Sequence, residues 1–432
     1  MTPEARLKAL SEVLREVFEF QNLPADKVVS NYVRKRRYMG SKDRRYLSDH
    51  LYALLRKRGP LLFYGAQFGG ERNYYEKEVI LYALFFLKYS FDEMIEICDG
   101  GLYHLSGLTK DEMKFLKKLR LTNDIPRWAH LSYPKEIEPF LQRSEPFQEK
   151  FEAKLKGLMT EASLDLRVNT LKASREDVLR YFDTEGIEAF PTPHSPIGVR
   201  LSKRIDLSLN PLFKRGEIEV QDEGSQLISF LVSPRSGDRI LDFCAGAGGK
   251  SLGLAALMDN KGSLLATDIN AVRLQKAKER FRRAGVHIVE TRVLENGEND
   301  KWLKRQKGSF NRVLADVPCS GSGTWRRNPD QKWKLKISDI EELQKRQLEI
   351  LTKASQAVKK GGRLVYATCS LFQEENEDVV TQFLKSCEDH FLLEEASSCF
   401  DGSDVLFDGK FLKLDVSKTQ TDGFFAAVFK RV

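Results

Sequence analysis

Two cysteines lie in small polar loops that each follow an apolar segment. Cys319 belongs to the loop Asp316-Val-Pro-Cys-Ser-Gly-Ser-Gly, and Cys369 belongs to Thr-Cys-Ser. A thiolate is an effective nucleophile, and a nearby carboxyl such as that of Asp316 can stabilise charge or move a proton. Free cysteines are more commonly small buried core residues. A Pro-Cys pair in a Ser/Gly-rich loop nevertheless favours a chemical role for Cys319.

A glycine-rich turn follows another apolar segment. Residues 240–250 read Ile-Leu-Asp-Phe-Cys-Ala-Gly-Ala-Gly-Gly-Lys, which predicts a short strand that runs into a turn. Glycines in such a turn let the backbone adopt positive φ and approach a ligand closely. An ordinary strand-to-helix turn has the same appearance, so the turn alone does not establish a binding site.

Three nucleotide-binding patterns compete for this turn. A P-loop requires glycine where Cys244 stands, and a dinucleotide fingerprint starting at Gly246 meets Ser251 in place of its third glycine. S-adenosylmethionine has no pyrophosphate and requires only close backbone approach. Asp268, at the end of the next predicted strand, can accept hydrogen bonds from both ribose hydroxyls of such a cofactor. Asp268 is also a candidate N-cap for the helix that follows it.

Together, the turn, one aspartate and two thiols fit methylation of a pyrimidine at C5. This carbon is a poor nucleophile until a thiolate adds to C6, after which C5 can attack a methyl sulfonium. A carboxylic acid near N3 stabilises the developing charge, and a base removes the C5 proton. Methylation of an amine usually employs an Asp/Asn-Pro-Pro-aromatic loop, whereas this chain has Asp316-Val-Pro-Cys319.

A parallel sheet is the element that would bring these residues together. Strands are predicted at 239–244, 263–267, 287–291, 312–315 and 363–367, and helices at 251–258, 271–284, 338–359 and 374–386. This alternation predicts a doubly wound, Rossmann-like α/β domain over residues 216–432 with a mostly parallel sheet. We expect the glycine turn, Asp268 and both cysteine loops at the carboxyl edge of that sheet, where ligands bind in such folds.

Two further domains are predicted before it. Residues 123–215 comprise a proline-punctuated linker, with Pro126, Pro134, Pro139 and Pro146, and a small α+β module of ferredoxin-like type. Its strands are predicted at 164–171, 187–190 and 199–202, with a helix capped by Ser174 and ended by Gly186. Residues 1–122 are predicted to be all-helical, with residues 79–87 in the buried central helix.

A basic run lies within this helical region. It contains Arg34, Lys35, Arg36, Arg37, Lys42, Arg44 and Arg45, with Tyr32, Tyr38 and Tyr46 nearby. Charge runs usually form a solvated face. This run also suits phosphate contacts and base stacking in RNA.

Composition limits the remaining choices. The 432 residues carry a formal net charge of +8, which modestly favours a polyanionic partner. The six cysteines form no C-x-x-C pair and the six histidines are scattered, so neither a metal site nor a disulfide framework is expected. With no apolar signal core and no membrane-length apolar run, we expect a cytoplasmic protein that acts as a monomer.

Four motifs resemble those of the Nop2/Sun family of RNA 5-methylcytosine methyltransferases. They are Asp-Val-Pro-Cys-Ser-Gly at 316–321, Ala-Thr-Cys-Ser at 367–370, Arg-Asn-Pro-Asp at 327–330 and Thr-Asp-Gly-Phe-Phe at 421–425. Their order and spacing are similar over residues 160–432. The helical N-terminus resembles the NusB-like domain of the bacterial RsmB branch, which methylates 16S ribosomal RNA.

The resemblance implies a role for each matching residue. Cys369 would be the nucleophile on C6, Cys319 would assist proton removal or product release, and Asp316 would contact the cytosine near N3 and the cofactor region. Asp268 would bind the ribose of S-adenosylmethionine. The residues that would wrap its methionine part are Cys244, Ala245, Gly246, Ala247, Gly248, Gly249 and Lys250.

The chain departs from the family pattern in two places. The family's turn is Cys-Ala-Ala-Pro-Gly-Gly-Lys, and Gly246-Ala247 replaces Ala-Pro here, which we expect to loosen the loop. The family also often has an aspartate after the third strand that meets the adenine. This chain has none there, and Glu295 or Asn296 are the candidate substitutes.

We therefore expect a cytosine-C5 RNA methyltransferase that acts on 16S ribosomal RNA. Transfer RNA is the alternative substrate for the same chemistry. A non-catalytic RNA-binding or ribosome-assembly factor is the alternative from another class, although a scaffold has no use for both Cys319 and Cys369. A small-molecule methyltransferase is disfavoured by the accessory domains and the basic charge balance.

Overall fold

The computed structural model describes residues 1–122, 124–145, 148–294, 299–387, 390–400, 402 and 404–432. These residues form two compact units. The helical unit contains Met1–Glu161 and Thr324–Ile337, and the α/β unit contains Ala162–Gly323 and Ser338–Val432. The chain thus leaves the α/β unit directly after the loop of Cys319 and returns to it at Ser338.

Amphipathic helices with a shared apolar core build the helical unit. They are α1 (Pro3–Glu19), α2 (Ala25–Lys35), α3 (Ser41–Arg56), α4 (Arg58–Gln67), α5 (Tyr74–Tyr82), α6 (Phe91–Ile97), α7 (Lys110–Lys118), α8 (Arg127–His130), α9 (Glu138–Ser144) and α10 (Gln148–Leu158). A π-helical segment, Ala83–Leu87, continues α5, and Val79 and Ile80 are fully buried. The prediction of a helical N-terminal region with a buried helix near residues 79–87 is confirmed.

The proline-punctuated stretch differs from the predicted linker. Pro126 is the N-cap of α8, and Pro139 lies in the first turn of α9. Proline is tolerated at these positions because the first helical N–H groups have no partner within the helix. These prolines therefore begin helices instead of interrupting structure. Pro146 lies outside the described residues.

The segment Thr324–Ile337 packs within the helical unit although it follows the Cys319 loop in sequence. Arg56 Nε donates to the carbonyl oxygen of Arg326 at 2.8 Å, and Trp333 Nε1 donates to that of Leu55 at 2.7 Å. Asp330 Oδ2 accepts a hydrogen bond of 3.1 Å from the Ala25 N–H. Asp330 of the Arg-Asn-Pro-Asp motif is therefore bonded to the start of α2, and the residues on either side of the motif are bonded to α3.

The α/β unit begins with a small antiparallel module. It comprises β1 (Leu164–Val168), α11 (Arg175–Thr184), β2 (Ala189–Pro191), β3 (Gly198–Leu201), α12 (Pro211–Arg215) and β4 (Ile218–Val220), with sheet order β2-β3-β1-β4. Ser174 caps α11 as predicted, because its Oγ accepts from the Asp177 N–H at 3.1 Å. The α+β module is confirmed, and β1, β2 and β3 differ from the predicted ranges only at their ends. Strand β4 was not predicted, and it lies beyond residue 215, where the module was expected to end.

A larger sheet with helices on both faces follows. Its elements are α13 (Glu223–Leu231), β5 (Arg239–Asp242), α14 (Gly249–Leu257), β6 (Ser263–Asp268), α15 (Ala271–Ala284), β7 (Val289–Val293), α16 (Asn299–Arg305), β8 (Phe310–Asp316), α17 (Pro329–Lys334, within the helical unit), α18 (Ile337–Ser355), β9 (Val358–Thr368), α19 (Glu377–Ser386), β10 (Phe391–Glu394), β11 (Phe407–Asp408), β12 (Phe411–Leu414), α20 (Val416–Thr419) and β13 (Phe424–Arg431).

The described strands of this sheet run in the order β11-β12-β13-β9-β8-β5-β6-β7, and β10 also pairs with β13. The five strands β9, β8, β5, β6 and β7 are parallel, which confirms the predicted Rossmann-like arrangement. The C-terminal strands β10 to β13 pair antiparallel and were not predicted.

Alternation along the central strands produces two cores. Ile240 and Leu314 belong to one cluster with residues of α13, α14 and α15, whereas Leu241 and Val313 belong to another with residues of α18 and α19. Successive strand residues point to opposite faces of a sheet. The sheet is therefore covered on both sides, and its carboxyl edge is left for the loops that carry the candidate site.

Candidate active site

Parallel pairing brings the predicted site residues to one edge of the sheet. Strand β8 ends at Asp316 and lies between β9, which ends at Thr368, and β5, which ends at Asp242. Strand β6, beyond β5, ends at Asp268. The glycine turn and both cysteine loops begin where these strands end, as the sequence predicted.

The two thiols are in direct contact. Cys319 Sγ lies 3.3 Å from Cys369 Sγ, and the Cys369 N–H also donates to Cys319 Sγ at 3.3 Å. Both residues are half-buried. The two thiols therefore lie together at the carboxyl edge of the sheet, where Cys369 also packs against one of the two cores.

The contact makes the two thiols unequal. The pKa of Cys319 is raised well above its usual value, first by its hydrogen bond to Cys369 and then by burial and the negative charge of the Cys369 thiolate. A raised thiol pKa means that the proton stays on sulfur. The thiol form of Cys319 is therefore favoured, and either sulfur of the pair can donate the hydrogen bond between them.

A lysine from the glycine turn meets the aspartate of the Cys319 loop. Lys250 Nζ donates to Asp316 Oδ2 at 2.7 Å. Burial lowers the pKa of Lys250, but the charge and hydrogen bond of Asp316 outweigh burial and raise that pKa overall, with a smaller contribution from the Cys369 thiolate. The positive charge of Lys250 is thus held beside both Asp316 and Cys369.

The glycine turn has the backbone conformation that its sequence indicated. Gly246 and Gly248 have φ of +56° and +77°, and Gly248 is the N-cap of α14. A Cβ on Gly248 would lie 2.7 Å from the ring of Phe281, whereas a Cβ on Gly246 would meet nothing within 4 Å. Gly248 is therefore needed for packing, and Gly246 faces open space that a ligand can enter.

Asp268 ties the end of β6 to this turn. Its Oδ2 accepts from the Gly246 N–H at 2.8 Å, and its Oδ1 accepts from the Asn270 N–H at 2.8 Å. The N-cap of α15 is Asn270, whose side chain accepts from the Arg273 N–H, so Asp268 is not the cap. Each carboxylate oxygen of Asp268 has a further lone pair for a ligand hydroxyl.

Two arginines that the sequence reasoning missed hold the carbonyl side of the turn. Arg280 Nη1 donates to Ala247 O at 2.7 Å, and Arg167 Nη1 donates to Gly249 O at 2.6 Å. Burial lowers the pKa of Arg167 to about 10. The available signal for Arg167 was a charged residue within the predicted strand at 164–171. The turn that carries the Gly246-Ala247 departure is thus contacted by two arginines from outside it, and the expected loosening of the loop stays a prediction.

Asp242 is buried just before the turn, and Cys244, the first residue of the turn, is half-buried. Burial raises the pKa of Asp242 to about 7, against a hydrogen bond of 2.6 Å from Ser251 Oγ that lowers it. Burial also raises the pKa of the Cys244 thiol well above its usual value. Cys244 therefore remains a neutral thiol that packs against the core on one face of the sheet. Glu295 and Asn296, the candidates for the adenine contact, lie outside the described residues.

The basic run forms an exposed patch only in part. Arg34, Lys35, Arg37, Lys42, Arg44 and Arg45 are exposed on and between α2 and α3. Arg36 instead stacks over Tyr32, at 3.5 Å, and pairs with Glu12. Tyr32 is buried and cannot stack on a base, whereas Tyr38 is 68% exposed.

Two absences concern the described residues alone. They contain no group of three or more His, Cys, Asp or Glu side chains placed to hold a metal ion. Among the helices that the structure describes, none combines the length and apolar character that crossing a membrane requires.

Comparison with known proteins gives two family matches. Residues 229–430 match the family described as 16S rRNA methyltransferase RsmB/F, and residues 141–208 match the ferredoxin-like domain of RsmF/B-like methyltransferases. The chain is 35% identical over 274 residues to the ribosomal RNA small subunit methyltransferase B of Proteus mirabilis, covering 62% of each protein. It is 37% identical over 220 residues to the probable enzyme of that name from Bacillus subtilis, covering 51% of this chain and 48% of that protein.

A solved structure shares the fold over nearly the whole chain. The crystal structure of PH0851 superposes with a TM-score of 0.79 at 24% sequence identity and covers 99% of both chains. By contrast, the match spans 62% and 48% of the length of the two relatives named above.

The fold, the glycine turn and the family match define a Rossmann-like methyltransferase domain of the S-adenosylmethionine-dependent class. Over residues 141–208 and 229–430, the chain is similar to the RsmB/F family of methyltransferases.

Proposed function

We propose that the protein transfers a methyl group from S-adenosylmethionine to C5 of a cytosine in RNA, with 16S ribosomal RNA as the substrate. The observation that carries this proposal is the contact of 3.3 Å between the thiols of Cys319 and Cys369 at the ends of neighbouring strands. Methylation at C5 requires one thiol as nucleophile and a second group to help release the product. A methyltransferase for an amine or hydroxyl has no use for such a pair.

The glycine turn suits the proposed cofactor. Gly246 presents its backbone to open space, and both oxygens of Asp268 retain lone pairs for ribose hydroxyls. We propose that Cys244 to Lys250 hold the methionine part and that Asp268 holds the ribose. The cofactor supplies an electrophilic methyl group on a sulfonium centre.

Cys369 is the proposed nucleophile. As a thiolate it accepts a hydrogen bond from Cys319 and lies near the positive charge of Lys250. Both interactions stabilise the negative charge on its sulfur without protonating it. Its sulfur forms a bond to C6, and the electron pair of the C5–C6 double bond becomes available at C5. The Lys250–Asp316 pair, placed near N3, offsets the charge that moves onto the ring.

Cys319 acts after that bond has formed. Once the sulfur of Cys369 is bonded to the base, the hydrogen bond to a Cys369 thiolate and the charge of that thiolate no longer raise the pKa of Cys319. Cys319 then loses its proton to solvent more readily, and its thiolate takes the C5 proton of the methylated intermediate. The electrons of that C–H bond restore the double bond and expel the Cys369 thiolate.

Three observations support RNA as the substrate. The relatives are named as ribosomal RNA small subunit methyltransferases, the chain carries a net charge of +8, and cations are exposed on α2 and α3. We propose three domains at 1–122, 123–215 and 216–432, of which the first is NusB-like and contacts RNA. We also propose that the enzyme works as a monomer in the cytoplasm, where its substrate is made.

The proposal is tested with transcripts of 16S ribosomal RNA and of transfer RNA, incubated with the protein and labelled S-adenosylmethionine. We expect label in the ribosomal transcript, mapped by bisulfite sequencing to a cytosine, and none after Cys369→Ala substitution. Label in transfer RNA alone would assign the other substrate. No label in either RNA, with RNA binding intact, would favour the assembly factor.

A further inference from the structure

A buried carboxylate connects the two cysteine loops. Glu375 lies in the short 3-10 turn Gln373–Glu375 after β9 and is fully buried. Its Oε1 accepts hydrogen bonds of 2.8 Å from the Ser320 N–H and from Gln347 Nε2. Its Oε2 accepts from the hydroxyls of Ser320 and Ser370. These described partners are all uncharged.

The partners of Glu375 adjoin the reactive thiols. Ser320 follows Cys319 in sequence, and Ser370 follows Cys369. One carboxylate therefore fastens both loops at the residue next to each sulfur. Gln347 strengthens this arrangement, because its Nε2 also donates to Pro318 O at 3.0 Å.

The charge of Glu375 acts on one thiol. The hydrogen bond to Cys369 and burial are the largest causes of the raised pKa of Cys319, and the negative charge of Glu375 adds to them. The titratable groups that face Cys319 are Cys369, Glu375 and Tyr366. The OH of Tyr366 donates to the backbone oxygen of Glu375. Lys250, which is paired with Asp316, acts on Cys369. Burying a carboxylate whose hydrogen-bond donors are all uncharged costs free energy of desolvation. This cost indicates that the carboxylate serves the site.

We propose that Glu375 is a positioning residue for the methyl transfer: its carboxylate fastens the two cysteine loops to each other, and its charge holds Cys319 in the thiol form. This inference rests on the proposed function for its catalytic consequence only. Its physical content concerns the state of Cys319 and is measurable without RNA or cofactor.

The first test measures alkylation of Cys319 by iodoacetamide against pH, with peptide mass spectrometry to resolve it from the other cysteines. The full-length Cys369→Ala protein is used, so that Cys319 titrates alone. We expect Glu375→Gln in this background to alkylate about tenfold faster at a pH below the inflection, as for a pKa lower by about one. Glu375→Asp, which keeps the charge, should restore the slower rate.

Two controls separate charge from loosening and from general damage. Ser320→Ala removes the hydroxyl that bonds to Glu375 and to the neighbouring serines but keeps the carboxylate, so a merely looser loop would accelerate alkylation in this variant too. Glu377→Gln removes a nearby carboxylate that pairs with Lys413 at 2.9 Å and should leave the rate unchanged. The inference would be overturned if, in the Cys369→Ala background, Glu375→Gln left the alkylation rate of Cys319 unchanged. It would also be overturned if Ser320→Ala raised that rate as much as Glu375→Gln does.

The second test concerns the loops and uses protein that retains Cys369. We expect Ser320→Ala and Ser370→Ala to lower kcat about tenfold while leaving KM for S-adenosylmethionine within twofold, because they disturb the thiols and not the glycine turn. Unchanged kcat in both variants would overturn the positioning role even if Glu375→Gln did not fold. If the unchanged protein methylated no RNA while the alkylation shift was present, the proposed function would fail and the assignment of Glu375 would stand.

Discussion

Lys250 Nζ lies 2.7 Å from Asp316 Oδ2, and this ion pair joins the glycine turn to the loop that carries Cys319. The side chain of Lys250 is 12% exposed and that of Asp316 is 28% exposed, so water screens the pair only in part. The half of the site proposed for the methyl donor is thereby connected to the half proposed for the cytosine.

Replacing Lys250 with methionine should therefore impair catalysis more than folding. We expect the rate of methyl transfer to fall about 100-fold, because charge developing on the ring loses a preorganised cation. Steady-state kinetics with the RNA substrate measure this loss. Lys413→Met, which breaks the pair with Glu377, is the matched control. Equal activity in the two variants would remove Lys250 from the mechanism.

The hydrogen bond from Arg280 to the glycine turn should support cofactor binding, and Arg283 offers a matched control for this prediction. Both arginines contact Glu219, but only Arg280 also donates to Ala247 O. A hydrogen bond from a charged donor is worth about 1.5–3 kcal/mol. We expect Arg280→Met to weaken binding of S-adenosylmethionine about tenfold or more by isothermal titration calorimetry, and Arg283→Met to leave it nearly unchanged. The same loss in both variants would point to Glu219 instead of the turn.

Asp242 predicts a pH dependence of stability. Its pKa is raised from 3.8 to about 7 in the folded protein, so the folded state binds the proton more tightly than the unfolded state does. Its contribution to stability is complete below about pH 4 and is lost as pH rises through about 7. The melting temperature of Asp242→Asn should thus decline less between about pH 5 and 8 than that of the unchanged protein. Parallel curves would show that Asp242 does not titrate in this range.

The exposed cations near the ends of α2 and α3 predict a salt-dependent RNA contact. Arg34, Lys35 and Arg37 are exposed, whereas Arg36 is engaged with Glu12. Changing these three exposed residues to glutamine should weaken RNA binding most at low salt and reduce the slope of log K against log salt by up to about three.

An equal change of charge elsewhere in the helical unit serves as the control for that experiment. Lys114, Lys117 and Lys118 on α7 are also exposed. Their replacement by glutamine should have a smaller effect on filter-binding affinity. Indistinguishable triple variants would mean that net charge, and not this patch, drives RNA binding.

The sequence predicted the carboxyl edge of the sheet well. Parallel strands place their ends together, so the order of β5, β6, β8 and β9 was enough to gather Asp268, Asp316 and the two cysteines. Helix caps were also readable, because Ser174 acts through residues three positions away.

Other features carry no comparable local signal. The segment Thr324–Ile337 joins the helical unit through contacts of Trp333 and Arg326 with α3, hundreds of residues away in the chain. Glu375 reads as one of several acidic residues at the start of the helix predicted at 374–386, and only the tertiary structure shows that it meets both Ser320 and Ser370. Short edge strands such as β11 were missed because two residues contain no periodicity to detect.

The central claim is that Cys369 forms the bond to the base and Cys319 releases it. The most direct measurement is denaturing gel electrophoresis of the Cys319→Ala protein after incubation with RNA and S-adenosylmethionine. We expect a slower-migrating protein–RNA adduct that survives denaturant and is absent when Cys369→Ala is added. An adduct formed by Cys369→Ala protein that still has Cys319, or none in any variant of a protein that methylates RNA, would contradict it.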